Sequence, residues 1–197
     1  MTTIWRFSAI LLAALLAACS PEAAKFRSTD ITGADFGKAL ALTGHDGRPR
    51  TLADFRGKLV VLFFGYTHCP DVCPTTLADM AAVMKQLGPD AARVQVLFAT
   101  VDPERDTPEV LSKYVPAFDA SFLGLSGDAA ATQRAAKEFR IFYEKRPGGA
   151  PGAYTVDHSA QSYVLDGQGR LRLFVKQDRI AQDLAGDLRM LLKEKSQ

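Results

Sequence analysis

Residues 58–65 read KLVVLFFG, a stretch in which apolar, β-branched and aromatic side chains follow one another without alternation. A strand with one wet face alternates, whereas a strand covered on both faces does not, so this run is predicted as the central strand of a sheet with parallel character. RVQVLFATVD, residues 93–102, repeats the pattern and predicts a second strand, and FLGLSG, residues 122–127, a short third one.

Between these strands the period of the apolar positions lengthens to that of a helix. TTLADMAAVMKQLG, residues 75–88, places Leu77, Met80, Ala81, Met84 and Leu87 on one stripe and stops at Gly88 with Pro89 behind it. TPEVLSKYVPAF, residues 107–118, opens on Thr107 with Pro108 at the first helical position, and the alanine-rich DAAATQRAAKEFRI, residues 128–141, opens on Asp128. IAQDLAGDLRMLLKEK, residues 180–195, is predicted as a closing amphipathic helix. SAQSYVLDGQGRLRLFV, residues 159–175, reads as a hairpin turning at residues 166–169. FGKALALT followed by GHDGRPR predicts an opening hairpin, while RPGGAPGAY, residues 146–154, holds too many breakers for a regular element and reads as a loop. The alternation predicts an α/β fold, a mixed central sheet flanked by helices with an N-terminal hairpin.

The chain has 197 residues, 47% of them hydrophobic, enough for one well-buried core. Its 24 basic and 22 acidic residues nearly cancel, and no basic run is dense enough to follow a phosphate backbone, so nucleic acid is not an expected partner. The first residues, MTTIWRFSAILLAALLAACS, carry Arg6, an apolar stretch over residues 8–16 and small residues up to Cys19, the layout of a secretory signal. The apolar stretch is short against the roughly 20 residues of a spanning helix. LAAC, residues 16–19, resembles the lipobox of bacterial lipoproteins, which marks Cys19 for lipidation. Residues 1–18 are therefore expected to be a signal peptide, 19–35 a lipidated terminus and tether, and 36–197 the folded domain. An uncleaved membrane anchor is the alternative, and either places the domain outside the cytoplasm.

In an oxidising compartment thiols can pair, and with Cys19 assigned to lipid only Cys69 and Cys73 remain. They lie in GYTHCPDVCPTT, directly after the central strand. Pro74 suits the first position of a helix, which would make Cys73 its N-cap, where the positive helix end stabilises a thiolate. A bridge enclosing three residues removes little chain entropy, so a purely structural disulfide is the weaker reading beside a reversible dithiol and a metal site.

Three histidines are present. His45 falls in the first turn and reads as solvated. His68 adjoins Cys69, but neighbours on an extended segment point apart. His158 follows the Gly/Pro loop and precedes a predicted strand, from where it can reach the helix mouth, although a lone histidine in such a place is more often structural than a ligand. Two thiolates and an imidazole make a soft donor set that suits Cu(I) and can hold Cu(II), whereas structural zinc would want a fourth protein ligand.

Three ordered segments, GYTHCPDVCPTTL, TVDPERDTP and DHSAQSYVLDGQG, resemble the Sco/SenC proteins. The resemblance runs from about residue 33 to the C-terminus. It implies a thioredoxin-like fold on a membrane tether, and delivery of copper to the dinuclear centre of cytochrome c oxidase or maintenance of that centre's thiols. It further implies one copper per chain held by Cys69, Cys73 and His158, with the two cysteines also able to pass to a disulfide and Asp102 in a supporting place near the site. The expected partner is the copper-bearing subunit of cytochrome c oxidase or another copper chaperone. The expected location is the periplasmic face of a bacterial membrane, the inner membrane being favoured by an oxidase partner. A thiol-disulfide oxidoreductase that transfers no copper is the alternative.

Overall fold

The computed structural model describes residues 25–149 and 152–194; the expected signal segment and Cys19 lie outside the described residues. Ten strands are described: β1 (Thr29–Asp30), β2 (Ala41–Gly44), β3 (Pro49–Thr51), β4 (Leu59–Gly65), β5 (Val94–Thr100), β6 (Leu123–Ser126), β7 (Tyr143–Pro147), β8 (Tyr154–His158), β9 (Ser162–Leu165) and β10 (Leu171–Val175). The α-helices are α1 (Val72–Leu87), α2 (Pro108–Tyr114), α3 (Ala129–Glu138) and α4 (Ala185–Lys193).

Eight strands form one mixed sheet in the order β1-β10-β9-β4-β5-β6-β2-β3. The apolar run predicted as central is β4, which lies parallel to β5 on one side and antiparallel to β9 on the other. All seven of its residues are buried, and Phe63, Phe64 and Phe98 are among the largest fully enclosed side chains. Each such burial contributes about 1.5–3 kcal/mol, which is why the continuous run sits in the middle of the sheet. Helices α1 and α4 pack on each other, α2 lies on β6 and α3 on β2. Helix starts follow their caps: Thr107 Oγ1 accepts from the Val110 amide, and Asp128 Oδ1 from the Ala131 amide. The β2–β3 hairpin is the opening hairpin that the turn residues predicted.

The structure departs from the sequence reading in four places. Residues 146–154 are not all loop. Their ends belong to β7 and β8, a separate two-stranded ribbon with Tyr143 opposite His158 and Pro147 opposite Tyr154. The glycines make only its tip, and Pro147 sits at the end of an edge strand, where a missing donor is tolerated. Upstream, Thr29–Asp30 pairs with β10, and the amides of Arg27 and Ser28 donate to the carboxylate of buried Asp187 at 2.9 Å each. Of the chain expected as tether, residues 27–30 therefore pair with the domain. Its two-residue strand has no period to read, and its partner lies more than 140 residues away.

The closing helix is not uniform either. A π-helical turn, Ile180–Leu184, precedes α4. Finally, α1 begins at Val72, with Asp71 in the N-cap place, so Cys73 is not the cap but the second residue of the helix. Pro74 is tolerated at the third position because the first-turn amides have no partner within the helix in any case.

Candidate metal centre

Cys69 lies in the loop that leaves β4, in a turn closed by its own amide to the Tyr66 carbonyl at 3.3 Å. That loop is held from below by Asp106, a fully buried carboxylate. It accepts from the Thr67 amide at 3.0 Å, the Thr67 hydroxyl at 2.5 Å and the Thr100 hydroxyl at 2.6 Å. Four residues on, Cys73 is fully buried in the first turn of α1. The Cys73 amide, one of the unpaired amides of a helix start, points at Cys69 Sγ at 3.5 Å. The helix end therefore serves Cys69, and the expected thiolate-stabilising place of Cys73 is corrected. Desolvation pushes the Cys73 thiol far above its ordinary range; the facing Tyr66 amide opposes this, and Cys69 and Asp106 add to it.

His158 closes β8. Strand alternation turns Tyr154, Val156 and His158 inward and leaves Thr155 and Asp157 exposed. The His158 ring stands edge-on to Tyr66 and Phe63, with centroids 5.8 and 6.1 Å away. Its Nδ1 lies 2.9 Å from the Ser159 carbonyl, which can only accept, so Nδ1 carries the proton and Nε2 keeps a lone pair. Burial holds this imidazole below the usual histidine range, keeping it neutral. Nε2 lies 3.4 Å from Cys73 Sγ, and the donor atoms of Cys69, Cys73 and His158 all fall within 4.8 Å of one another. Two sulfurs and an unprotonated imidazole nitrogen, with Cys73 buried and Cys69 and His158 partly covered, are a soft donor set able to hold a thiophilic ion.

The other histidines stay outside this cluster. His68 is 54% exposed, with Nδ1 3.9 Å from Asp106. His45 is not a solvated turn residue: its Nδ1 accepts from the Gly124 amide at 3.0 Å, tying the first turn to β6. Asp102 contributes no ligand atom to the cluster. Fully buried beyond the end of β5, it accepts from the Tyr154 hydroxyl at 2.7 Å and pairs with Arg105. The sequence reading missed Arg105, Asp106, Tyr66 and Tyr154; the charged PERD within TVDPERDTP was the available signal.

A mixed sheet with a cysteine pair at the mouth of α1 and a histidine delivered from a later strand defines a thioredoxin-like domain with a Cys-Cys-His site. Residues 28–193 match the SCO1/SenC family, and the chain belongs to it. It is 38% identical over 152 residues to the mitochondrial SCO2 homolog of Mus musculus, covering 76% of this chain and 60% of that protein. The chain thus spans between 45% and 60% of the length of the curated relatives it matches. Among solved structures, copper-bound ScoI of Bradyrhizobium japonicum is 39% identical with a TM-score of 0.73, over 79% of this chain and 99% of that one. Apo Sco1 of Thermus thermophilus is 43% identical with a TM-score of 0.75, over 85% and 97%.

Proposed function

We propose that this protein is a membrane-anchored, extracytoplasmic copper-binding protein. It takes one copper ion between Cys69, Cys73 and His158 and passes it to the copper-bearing subunit of cytochrome c oxidase or to another copper chaperone. The observation that carries this reading is the unprotonated His158 Nε2, 3.4 Å from Cys73 Sγ and within 4.8 Å of both sulfurs. Exchange takes place between sulfurs, whereas a copper site uses that nitrogen as its third ligand. The copper-bound ScoI relative supports the cargo, and the donor set fits it, since thiolates and neutral imidazole are the ligands a soft ion selects. Binding requires both thiols to lose their protons, so uptake releases protons and weakens as pH falls. Release is exchange of these ligands for those of a partner offering more thiolates. The anchor rests on LAAC and Cys19; among the described residues no helix is long and apolar enough to cross a membrane.

A second reading is favoured by the proximity of the two sulfurs. The same pair can reduce a partner's disulfide, Cys69 and Cys73 giving two electrons and two protons and closing into a disulfide themselves. Anaerobic Cu(I) titration of the reduced protein separates the readings. One tight copper per chain is expected, weakened in Cys69→Ser, Cys73→Ser and His158→Ala alike. Unchanged affinity in His158→Ala would sink the three-ligand site and leave thiol exchange.

A further inference from the structure

The ribbon that carries His158 is not part of the main sheet: among the described residues β7 and β8 pair only with each other. Something else must set where β8 stands relative to α1. The short turn after β5 meets it at three points. Glu104 pairs with Lys145 of β7 at 2.6 Å. Arg105 donates through Nη1 to the Tyr154 carbonyl at 3.0 Å and stacks on the Tyr154 ring, 3.6 Å from its centroid. Asp102 accepts from the Tyr154 hydroxyl at 2.7 Å and from Arg105 Nε. The same turn reaches the other half of the site, since Asp106 fixes Thr67. Asp102 and Asp106 are held at a fixed spacing, because the Asp106 amide donates to the Asp102 carbonyl at 3.0 Å.

We propose that Asp102 and Arg105 are positioning residues for the third ligand: through Tyr154 they fix the register at which β8 presents His158 to the two sulfurs. This rests on the reading of His158 as a ligand. Tyr154 and His158 share the inward face of one strand, four residues apart, so a displacement at Tyr154 is carried along β8 to the imidazole. The cost of the arrangement argues against a purely stabilising role. The Asp102 end of its ion pair with Arg105 is fully buried while the Arg105 side chain is 23% exposed, so desolvation of the carboxylate offsets part of the attraction, and Arg105 Nη2 is buried without a partner among the described residues. What such a pair supplies here is geometry: a planar guanidinium held on both the ring and the carbonyl of one tyrosine.

The test combines Cu(I) competition against a chromophoric chelator with amide hydrogen exchange of the metal-free protein. The variants are Tyr154→Phe, Arg105→Met, His158→Ala and each of the first two combined with His158→Ala. Outer partners of metal ligands typically contribute about 10–100-fold to affinity, so a loss of about tenfold is expected for Tyr154→Phe and more for Arg105→Met. Neither should weaken binding further once His158 is absent, because the latch acts through that ligand. In the metal-free variants exchange should quicken across residues 154–158 while the core of β4 and β5 stays protected. Should Arg105→Met fail to fold, Tyr154→Phe, which deletes one oxygen and keeps the ring, decides the matter. Full affinity in a folded latch variant, losses that add to that of His158→Ala, or unchanged exchange in the ribbon would overturn the proposal. If His158→Ala alone leaves copper affinity intact, the ligand reading fails, and the exchange data still decide whether the latch positions β8.

Discussion

Cys73 Sγ stands 3.4 Å from His158 Nε2, across 85 residues of sequence. Because Nδ1 of His158 faces the Ser159 carbonyl, the thiol is the donor in this contact and the imidazole the acceptor. The metal-free protein thereby holds two of the three donor atoms together through a single proton, one that an incoming thiophilic ion displaces. Three expectations about the chain follow from the surroundings of this pair and of the hairpin behind it.

The two thiols should differ in reactivity. Cys73 is fully buried and its thiol is pushed far up by desolvation, whereas Cys69 is only partly covered. Near neutral pH iodoacetamide should label Cys69 first. Cys73 in the Cys69→Ser variant should react at least about tenfold more slowly than Cys69 in Cys73→Ser, since the thiolate is the nucleophile. Peptide mass spectrometry over time measures both rates, and equal rates would contradict the buried placement of Cys73.

Gly65 should not accept a side chain. A Cβ there would meet Cys73 Sγ at 2.8 Å, the Phe98 ring at 2.9 Å and the Phe63 ring at 3.0 Å, all in packed core. Gly65→Ala is expected to cost about 1–3 kcal/mol from overpacking, read as a lower urea midpoint, and to weaken Cu(I) binding by displacing the sulfur. A variant that keeps both properties would show that α1 can shift freely, against the close packing described here.

Acid stability should depend on Asp166. This buried carboxylate closes the β9–β10 turn, accepting from the Gln168 amide at 2.9 Å, the Arg170 amide at 3.0 Å and Arg170 Nε at 2.8 Å. Burial raises its pKa, but the Arg170 side chain and the two amides outweigh burial and hold it below the ordinary 3.8. The unfolded chain therefore takes up its proton first as pH falls. The contribution to stability is complete above the unfolded value and is lost as pH drops through the native one. Asp166→Asn should cost about 1–3 kcal/mol at neutral pH and flatten the acid limb of urea midpoint against pH. An identical limb in the variant would assign the acid loss to other groups.

Much of the main sheet is legible in the chain because its signals are local. The unbroken apolar run of β4, the caps Thr107 and Asp128, and the turn at Asp166 each specify their neighbourhood within a few residues. The β7–β8 ribbon is not legible in the same way. YEKRP is polar along most of its length and almost wholly exposed, so no period marks it, and the glycines of its tip mask the strands on either side. The start of α1 was displaced for a related reason: proline fits any of the first helical positions, and its presence alone does not say which.

By itself the sequence determined the cysteine pair after a central strand, the helix that follows, the α/β alternation and the candidacy of His158, because hydrophobic periodicity and turn chemistry are encoded over short distances. Only the tertiary structure decided that the unpaired amide of Cys73 serves Cys69, that Cys73 is the buried thiol, and that His158 keeps Nε2 free toward it. It alone also decided that one turn, from Asp102 to Asp106, grips both halves of the site. The contacts of Asp106 with Thr67, Asp102 with Tyr154 and Cys73 with His158 join segments 39 to 85 residues apart, where packing, burial and hydrogen-bond satisfaction choose the partner and no local pattern can.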